Sequence, residues 1–278
     1  MEDIVQYFET IPSLHRSIIL VGGITLFWLI EGLVPTRSLY YKKWSHAWPN
    51  FFFTATSVLV NFFLAFLLLN TADWTQANAF GLLKILAIPF WLYVVLGVLL
   101  LDFIGAYLAH WVEHRIKPLW MVHLVHHSDH HVDTTTANRH HPLESLVRFI
   151  FTLLAVFLLG TPIGVVMLYQ SLSVVLSQFN HANIKLPYKL DVWLSYVLVT
   201  PHMHKVHHHY VLPYTDSNFG NIFALWDRLL GTYRNLAASE IVYGVDVFPN
   251  EAENSRIGGL LKQPFQSYQK PSIKHINT

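Results

Sequence analysis

Apolar residues fall in five long blocks along the chain, joined by short polar segments, and the polar residues crowd after the third block and after the fifth. The blocks run from Ile18 to Val34, Phe51 to Leu69, about Ala79 to Leu108, Leu146 to Leu159 and Ile163 to Phe179. A helix rises about 1.5 Å per residue and a bilayer core is roughly 30 Å thick, so about 20 apolar residues make one crossing. Each block is predicted as a membrane-spanning helix, the fourth being short for a full crossing. Gly160-Thr161-Pro162 separates the last two, which makes them a helical hairpin or a partly re-entrant pair. A weaker apolar patch, Val192 to Thr200, is too short to span and is expected at the membrane interface. The fold class is all-α: a multi-pass stem of four or five spans and a helical cap, within a single membrane domain over residues 1–278.

The joints differ in charge. TRSLYYKKWSHAWP, after the first block, carries Arg37, Lys42 and Lys43, whereas TADWTQANA, after the second, has no lysine or arginine. The positive-inside tendency puts the first on the cytoplasmic side. Counting crossings from there brings residues 109 to 145 and 180 to 278 to that side as well. The amino terminus, MEDIVQYFETIPSLHRS, opens acidic and lacks the basic start of a cleaved signal, so the first block is expected to stay in the mature chain.

Composition supports the membrane reading: 53% of the 278 residues are hydrophobic and 13% charged, against about a quarter charged in soluble domains. A formal net charge of +1 offers no basic footprint for nucleic acid. Cysteine is absent, so thiolate nucleophiles, disulfides and cysteine metal sites are excluded. Histidine has to carry any metal chemistry. Of the 18 histidines, all but His15, His46 and His275 lie between His110 and His209, and those three are read as polar residues at a water boundary.

Three groups are spaced for chelation: His110-Trp-Val-Glu-His114, His123-Leu-Val-His126-His127 and His204-Lys-Val-His207-His208. Helical positions four apart differ by about 40° and positions three apart by about 60°, so each group presents two or three imidazoles on one face. Metal–nitrogen bonds of about 2.0–2.1 Å require that convergence. Pro118 is expected to break the helix between the first two groups. His181, in SQFNHAN at the end of the fifth block, is a further candidate. Nine imidazoles exceed one ion's coordination and suit two. Ligand type alone leaves zinc, copper, iron and nickel open, while open positions at a redox-active pair favour iron. His131, His141 and His202 are read as further ligands or outer neighbours. Asp102, Glu144 and Asp227 are available to hold the far nitrogen of a ligating ring, Asp102 foremost because a carboxylate at the end of an apolar span is costly without a partner.

Two other readings compete. HWVEH is also H-x-x-E-H, the inverted zinc-peptidase motif with Glu113 as base, but it leaves the H-x-x-H-H groups unexplained. A membrane metal transporter also mixes apolar helices with histidines, yet such sites sit at mid-bilayer in broken helices, whereas these histidines follow the spans.

In their order, HWVEH, HLVHH, FNHAN and HKVHH resemble the histidine boxes of the fatty acid hydroxylase/sterol desaturase superfamily of integral-membrane di-iron oxygenases. TTTANRHHPLES and DSNFGNIFALWDRLLGTY resemble further segments of that family, and the resemblance covers about residues 100–235. Within the superfamily, the pattern, including PHMHKVHH and WDRLLGTY, looks closer to the alkylglycerol-monooxygenase-like and bacterial sterol-desaturase-like branches than to the fatty acid 2-hydroxylases. The resemblance implies two iron ions held by His110, His114, His123, His126, His127, His181, His204, His207 and His208 in a cytosolic cap, with zinc able to substitute. It implies hydroxylation or desaturation of a sterol, fatty acyl or alkyl ether lipid with O2 and electrons from a separate donor such as cytochrome b5, a ferredoxin or another reductase. No fused cytochrome b5 module is expected. Two departures stand out: Trp111 replaces the usual arginine of the first box, and Ser177 stands where some members carry another histidine. That leaves one coordination place open, filled by water, or filled by His141 or His202.

Overall fold

A computed structural model describes residues 1–38, 40–248 and 250–268. Among these the secondary structure is helical, with two isolated bridges and no strand. Five helices are long and apolar enough to cross a membrane: α2 (Ser13–Leu33), α3 (Lys43–Ala77), α4 (Phe90–Arg115), α6 (Pro142–Leu159) and α7 (Ile163–His181). α1 (Glu2–Glu9) precedes them. α5 (Lys117–His127) lies between α4 and α6. The short helices α8 (Tyr188–Leu194), α9 (Pro201–His207) and α10 (Leu225–Leu229) follow.

Span boundaries shift for local reasons. The third begins at Phe90 rather than Ala79, because Gly81 takes φ +127°, Leu82–Ile85 forms a tight 3-10 turn and Pro89 caps the new helix. The second extends to 35 residues, roughly 50 Å at the helical rise, so it outruns a bilayer. Its early residues Ala47, Pro49, Asn50 and Phe53 are buried. Asn50 donates to Thr135 at 2.8 Å and accepts from Arg139 at 3.0 Å, which joins α3 to the segment before α6. The fourth block gains Pro142 to Ser145 and becomes a full 18-residue helix, forming the hairpin with α7. The break between His114 and His123 falls at Ile116, with Pro118 inside the first turn of α5.

The ends of the spans sort into two sets. At one end Gln76 and Tyr93 both donate to the Gly160 carbonyl, at 2.9 and 2.7 Å, and α1 packs on the start of α7, Val5 against Gly164. At the other, the joint after α2 pairs with the segment after α7 through the Pro35–Ile184 bridge and a Thr36 N–H bond to the Asn183 carbonyl at 3.0 Å. Glu31, fully buried, accepts from the backbone of Thr134 and Asn183 at 2.7 and 2.8 Å and pairs with Lys43 at 3.2 Å. The joint with Arg37, Lys42 and Lys43 therefore lies at the same end as residues 116–141 and 182–248, in agreement with the counted crossings.

Gly160 closes α6 in the left-handed region, φ +69°, where a Cβ would run into the Phe80 carbonyl. Gly160→Ala is expected to cost about 1–2 kcal/mol from the left-handed backbone alone, measured by detergent-titrated unfolding in mixed micelles, with no loss of bound metal.

α4 contains a π-turn over Phe103–Leu108. Eight residues along a regular helix rotate the side chain by about 80° from its start. The extra residue taken up by the π-turn reduces this to roughly the 20° of a seven-residue step. Asp102 and His110, which flank the turn, consequently address one loop: Asp102 accepts from the N–H groups of Ile222 and Phe223 and from the Trp226 indole at 3.0–3.2 Å, while His110 meets the Phe219 carbonyl at 2.9 Å.

Candidate metal centre

At the cap end of the stem the nine box histidines separate into a five and a four. His110, His114, His123, His127 and His207 form one group, and His126, His181, His204 and His208 the other, the nitrogens of each lying within 4.8 Å of one another. Neighbouring positions on a helix differ by about 100°. In α5 the pair four apart, His123 and His127, therefore serves the first group while His126 serves the second. α9 and its end reverse the assignment, with His204 and His208 in the second group and His207 in the first. α4 supplies His110 and His114, and α7 supplies His181.

The far nitrogens settle the tautomers. Carbonyl oxygens only accept, so the Nδ1 atoms of His110, His181 and His207 donate to Phe219, Ser177 and Ser217 at 2.9, 2.8 and 2.7 Å. Carboxylates take Nδ1 of His123, at 2.7 Å to Glu144, and of His114, at 3.1 Å to Asp216. All five rings thus turn an Nε2 lone pair inward. His110 and His123 place those lone pairs 3.0 Å apart with no proton between them. That contact is repulsive unless a cation sits between the rings. Five Nε2 pairs in the two groups lie only 2.9 to 3.2 Å apart; two nitrogens about 2.1 Å from one ion subtend roughly a right angle at about 3.0 Å. The donor set fits a pair of metal ions.

Burial and the surrounding imidazoles hold His123, His126, His127, His204 and His207 well below the usual histidine range, and burial pushes His208 down to about 3. The rings are neutral at pH 7. Loading metal at pH 7 is accordingly expected to release almost no protons from these six histidines, measured by calorimetry in two buffers of different ionisation enthalpy. For the metal-free protein the sign is fixed too: the unfolded chain takes up protons near pH 6.5 that these folded histidines refuse, so stability falls as pH drops below that value.

A third grouping, His123 with His140 and Glu144, is closed by protons. Glu144 Oε1 accepts from His123 Nδ1 at 2.7 Å and from Arg148 Nε at 3.0 Å, and lies 2.7 Å from His140 Nδ1, whose ring also bonds the Ala137 carbonyl through Nε2 at 3.0 Å. Arg148 also reaches Glu113 at 2.9 Å, and both carboxylates are fully buried. Glu113 lies 3.8 Å from His123 Nδ1, on the outward side of that ring. A peptidase base would have to face the inward nitrogens instead.

Several expectations are corrected. Asp102 holds the 222–226 loop rather than a ligating ring, because three donors from that loop already fill it. Asp227 accepts from Phe219 and Gly220 N–H at 2.8 Å, so it braces the loop that His110 contacts and meets no imidazole. His141 caps α6 by accepting the Leu143 N–H at 3.2 Å, His202 faces Asn235 at 3.1 Å, and His131 pairs with exposed Glu251 at 3.0 Å. None of these three joins either group, and neither His141 nor His202 takes the place left by Ser177. His46 is no surface residue: its two nitrogens lie 2.8 Å from Asp129 and 3.2 Å from Asp133, and the ring is mostly buried. His275 lies outside the described residues. Asp216 and the carbonyls of Ser217 and Phe219 went unseen. The DSNFGN stretch was a signal for the first, but a carbonyl partner has no residue signature.

Comparison with known proteins bears on the same stretch. The family model described as fatty acid hydroxylase matches residues 94–232, which include all nine histidines of the two groups. An ornithine lipid hydroxylase of Rhizobium tropici is 31% identical over 148 residues, 53% of this chain and 43% of that protein. The alkylglycerol monooxygenase of Homo sapiens is 29% identical over 156 residues, 56% of this chain and 33% of that protein, and the Danio rerio one is 30% identical over 141 residues, 51% and 30%. The matched stretch spans less than half the length of these relatives. No solved structure matches the chain significantly.

Proposed function

Because the chain belongs to the fatty acid hydroxylase family, we propose that it is a membrane-bound oxygenase that uses two iron ions, O2 and electrons from a separate donor to oxidise a C–H bond of a lipid. The observation that carries this reading is the pair of proton-free Nε2 atoms of His110 and His123, 3.0 Å apart within five converging imidazoles. Bound iron would supply the oxygen activation that side chains lack. His110, His114, His123, His127 and His207 would hold one ion, and His126, His181, His204 and His208 the other; imidazole sites also accept zinc.

The chain's own part is orientation and exclusion. Ser177, Ser217, Phe219, Glu144 and Asp216 fix five rings by their far nitrogens, so those five need no rearrangement when metal enters. All nine side chains are buried, which keeps bulk water from the reacting centre. His110, His114 and His181 are carried by spanning helices, so the centre stands where stem meets cap. A lipid can keep its chains in the bilayer and bring one carbon to that level.

Hydroxylation is favoured over desaturation, since the relatives are named a hydroxylase and monooxygenases, and a polar lipid is the substrate class their names support. The cap faces the cytoplasm on the strength of Arg37, Lys42 and Lys43 beside α2. Cytochrome b5, a ferredoxin or another reductase would supply the electrons. The test is purified iron-loaded protein, reductant and ¹⁸O₂ with a membrane lipid extract, read by mass spectrometry. One labelled oxygen in a lipid product is expected. A fully iron-loaded, reducible protein that labels no lipid would refute the reading.

A further inference from the structure

The two histidine groups differ in what stands behind their rings. In the five-histidine group, Glu144 backs His123 at 2.7 Å and Asp216 backs His114 at 3.1 Å, with the Glu113 carboxylate 3.8 Å from His123. A carboxylate behind an imidazole raises its basicity and its donation to a metal. In the four-histidine group, the far-side bond is that of His181 to the Ser177 carbonyl, while Nδ1 of His126, His204 and His208 has no protein partner. Among the described residues no carboxylate bonds to these rings: the His140 ring stacks on His126 at 4.9 Å, and the buried Lys205 amine donates to the carbonyl of Ala182, next to His181. Asp129, which acts on His208 through space, is taken up by His46 and Thr136.

The ligand count follows the same division. Five nitrogens leave one place of an octahedron and four leave two. Ser177 lies one turn before His181 on the same face of α7, where its short side chain does not reach as an imidazole would. Its carbonyl is already engaged by His181.

We propose that the groups are unequal by construction: the five-histidine group, backed by Glu144 and Asp216, is the electron-rich and nearly filled one. The four-histidine group receives small exogenous ligands such as azide or a diatomic gas, on the side of α7 that carries Ser177. This inference rests on the di-iron reading and goes beyond it.

The experiment uses the full chain loaded with ⁵⁷Fe, oxidised and titrated with azide, with iron content, Mössbauer spectra and the visible charge-transfer band as readouts. Two quadrupole doublets of equal area are expected. Azide should move one of them at one equivalent per chain, and Glu144→Gln should move the other. Ser177→His should fill one of the two open places, keep two irons and weaken azide binding by about tenfold or more. The inference falls if azide moves the doublet that Glu144→Gln moves, moves both or neither, or binds an iron-loaded Ser177→His protein as tightly as the unaltered one. If Ser177→His fails to hold iron, the comparison of azide with Glu144→Gln decides alone. Fewer than two irons in the unaltered chain refutes the di-iron reading itself, and the inference with it.

Discussion

Replacing His123 with alanine should lower bound metal from two ions per chain to one or none and abolish lipid oxidation. Its Nε2 lies 3.0 Å from that of His110 and 3.1 Å from that of His127, and its Nδ1 is the link to Glu144, so one substitution removes a ligand and one of the three partners of a buried carboxylate. Losing the outer partner of a ligand typically costs 10–100-fold in metal affinity or activity, so losing the ligand should exceed about 100-fold. Elemental analysis and product assay on the same preparation check it. His131→Ala is the control: that ring is 38% exposed and pairs with exposed Glu251, and its loss should leave metal content unchanged.

The largest expected loss of stability comes from Arg148. Its guanidinium lies between Glu113 and Glu144, whose side chains are fully buried while its own remains 25% exposed. Removing one partner of a buried ion pair leaves a charge without compensation and costs about 3–5 kcal/mol. Arg148→Met should sit near the lower end, because the site reaches solvent on the arginine side. Detergent-titrated unfolding would measure it. Adding Glu113→Gln to that variant should restore part of the loss, since an amide tolerates burial better than a lone carboxylate. An additive double variant would show that the pair is not coupled.

Much of the centre was legible because its ligands are side chains at helical spacing. Eight of the nine box histidines stand at i, i+3 and i, i+4 intervals, with His181 alone, and the crossing of assignments between HLVHH and HKVHH follows from the turn between neighbouring residues. The backing was not legible to the same degree. Glu144 could be picked out as a carboxylate near the boxes, but Asp102 offered the same signal and serves the 222–226 loop instead. The carbonyls of Ser177, Ser217 and Phe219 carry no side-chain identity at all. His46 looked isolated because its partners, Asp129 and Asp133, are more than 80 residues away in sequence. Five spans were visible in the apolar blocks. Their ends were not, since Gly81, Pro89 and the cap contacts of Asn50 set them rather than hydropathy.

The π-turn in α4 has an evolutionary consequence. Asp102 and His110 grip one loop from either side of it, so that loop works as a gauge for the chain between them. Substitutions within Phe103–Leu108 can be absorbed. Rewinding the turn as regular helix with every residue kept would rotate His110 and His114 by about 100° relative to Asp102, swinging two of the five imidazoles of that group out of line, whereas losing one residue together with the π-turn would keep their aim. Among functional descendants this stretch should therefore drift in composition, while its length and its winding change only together.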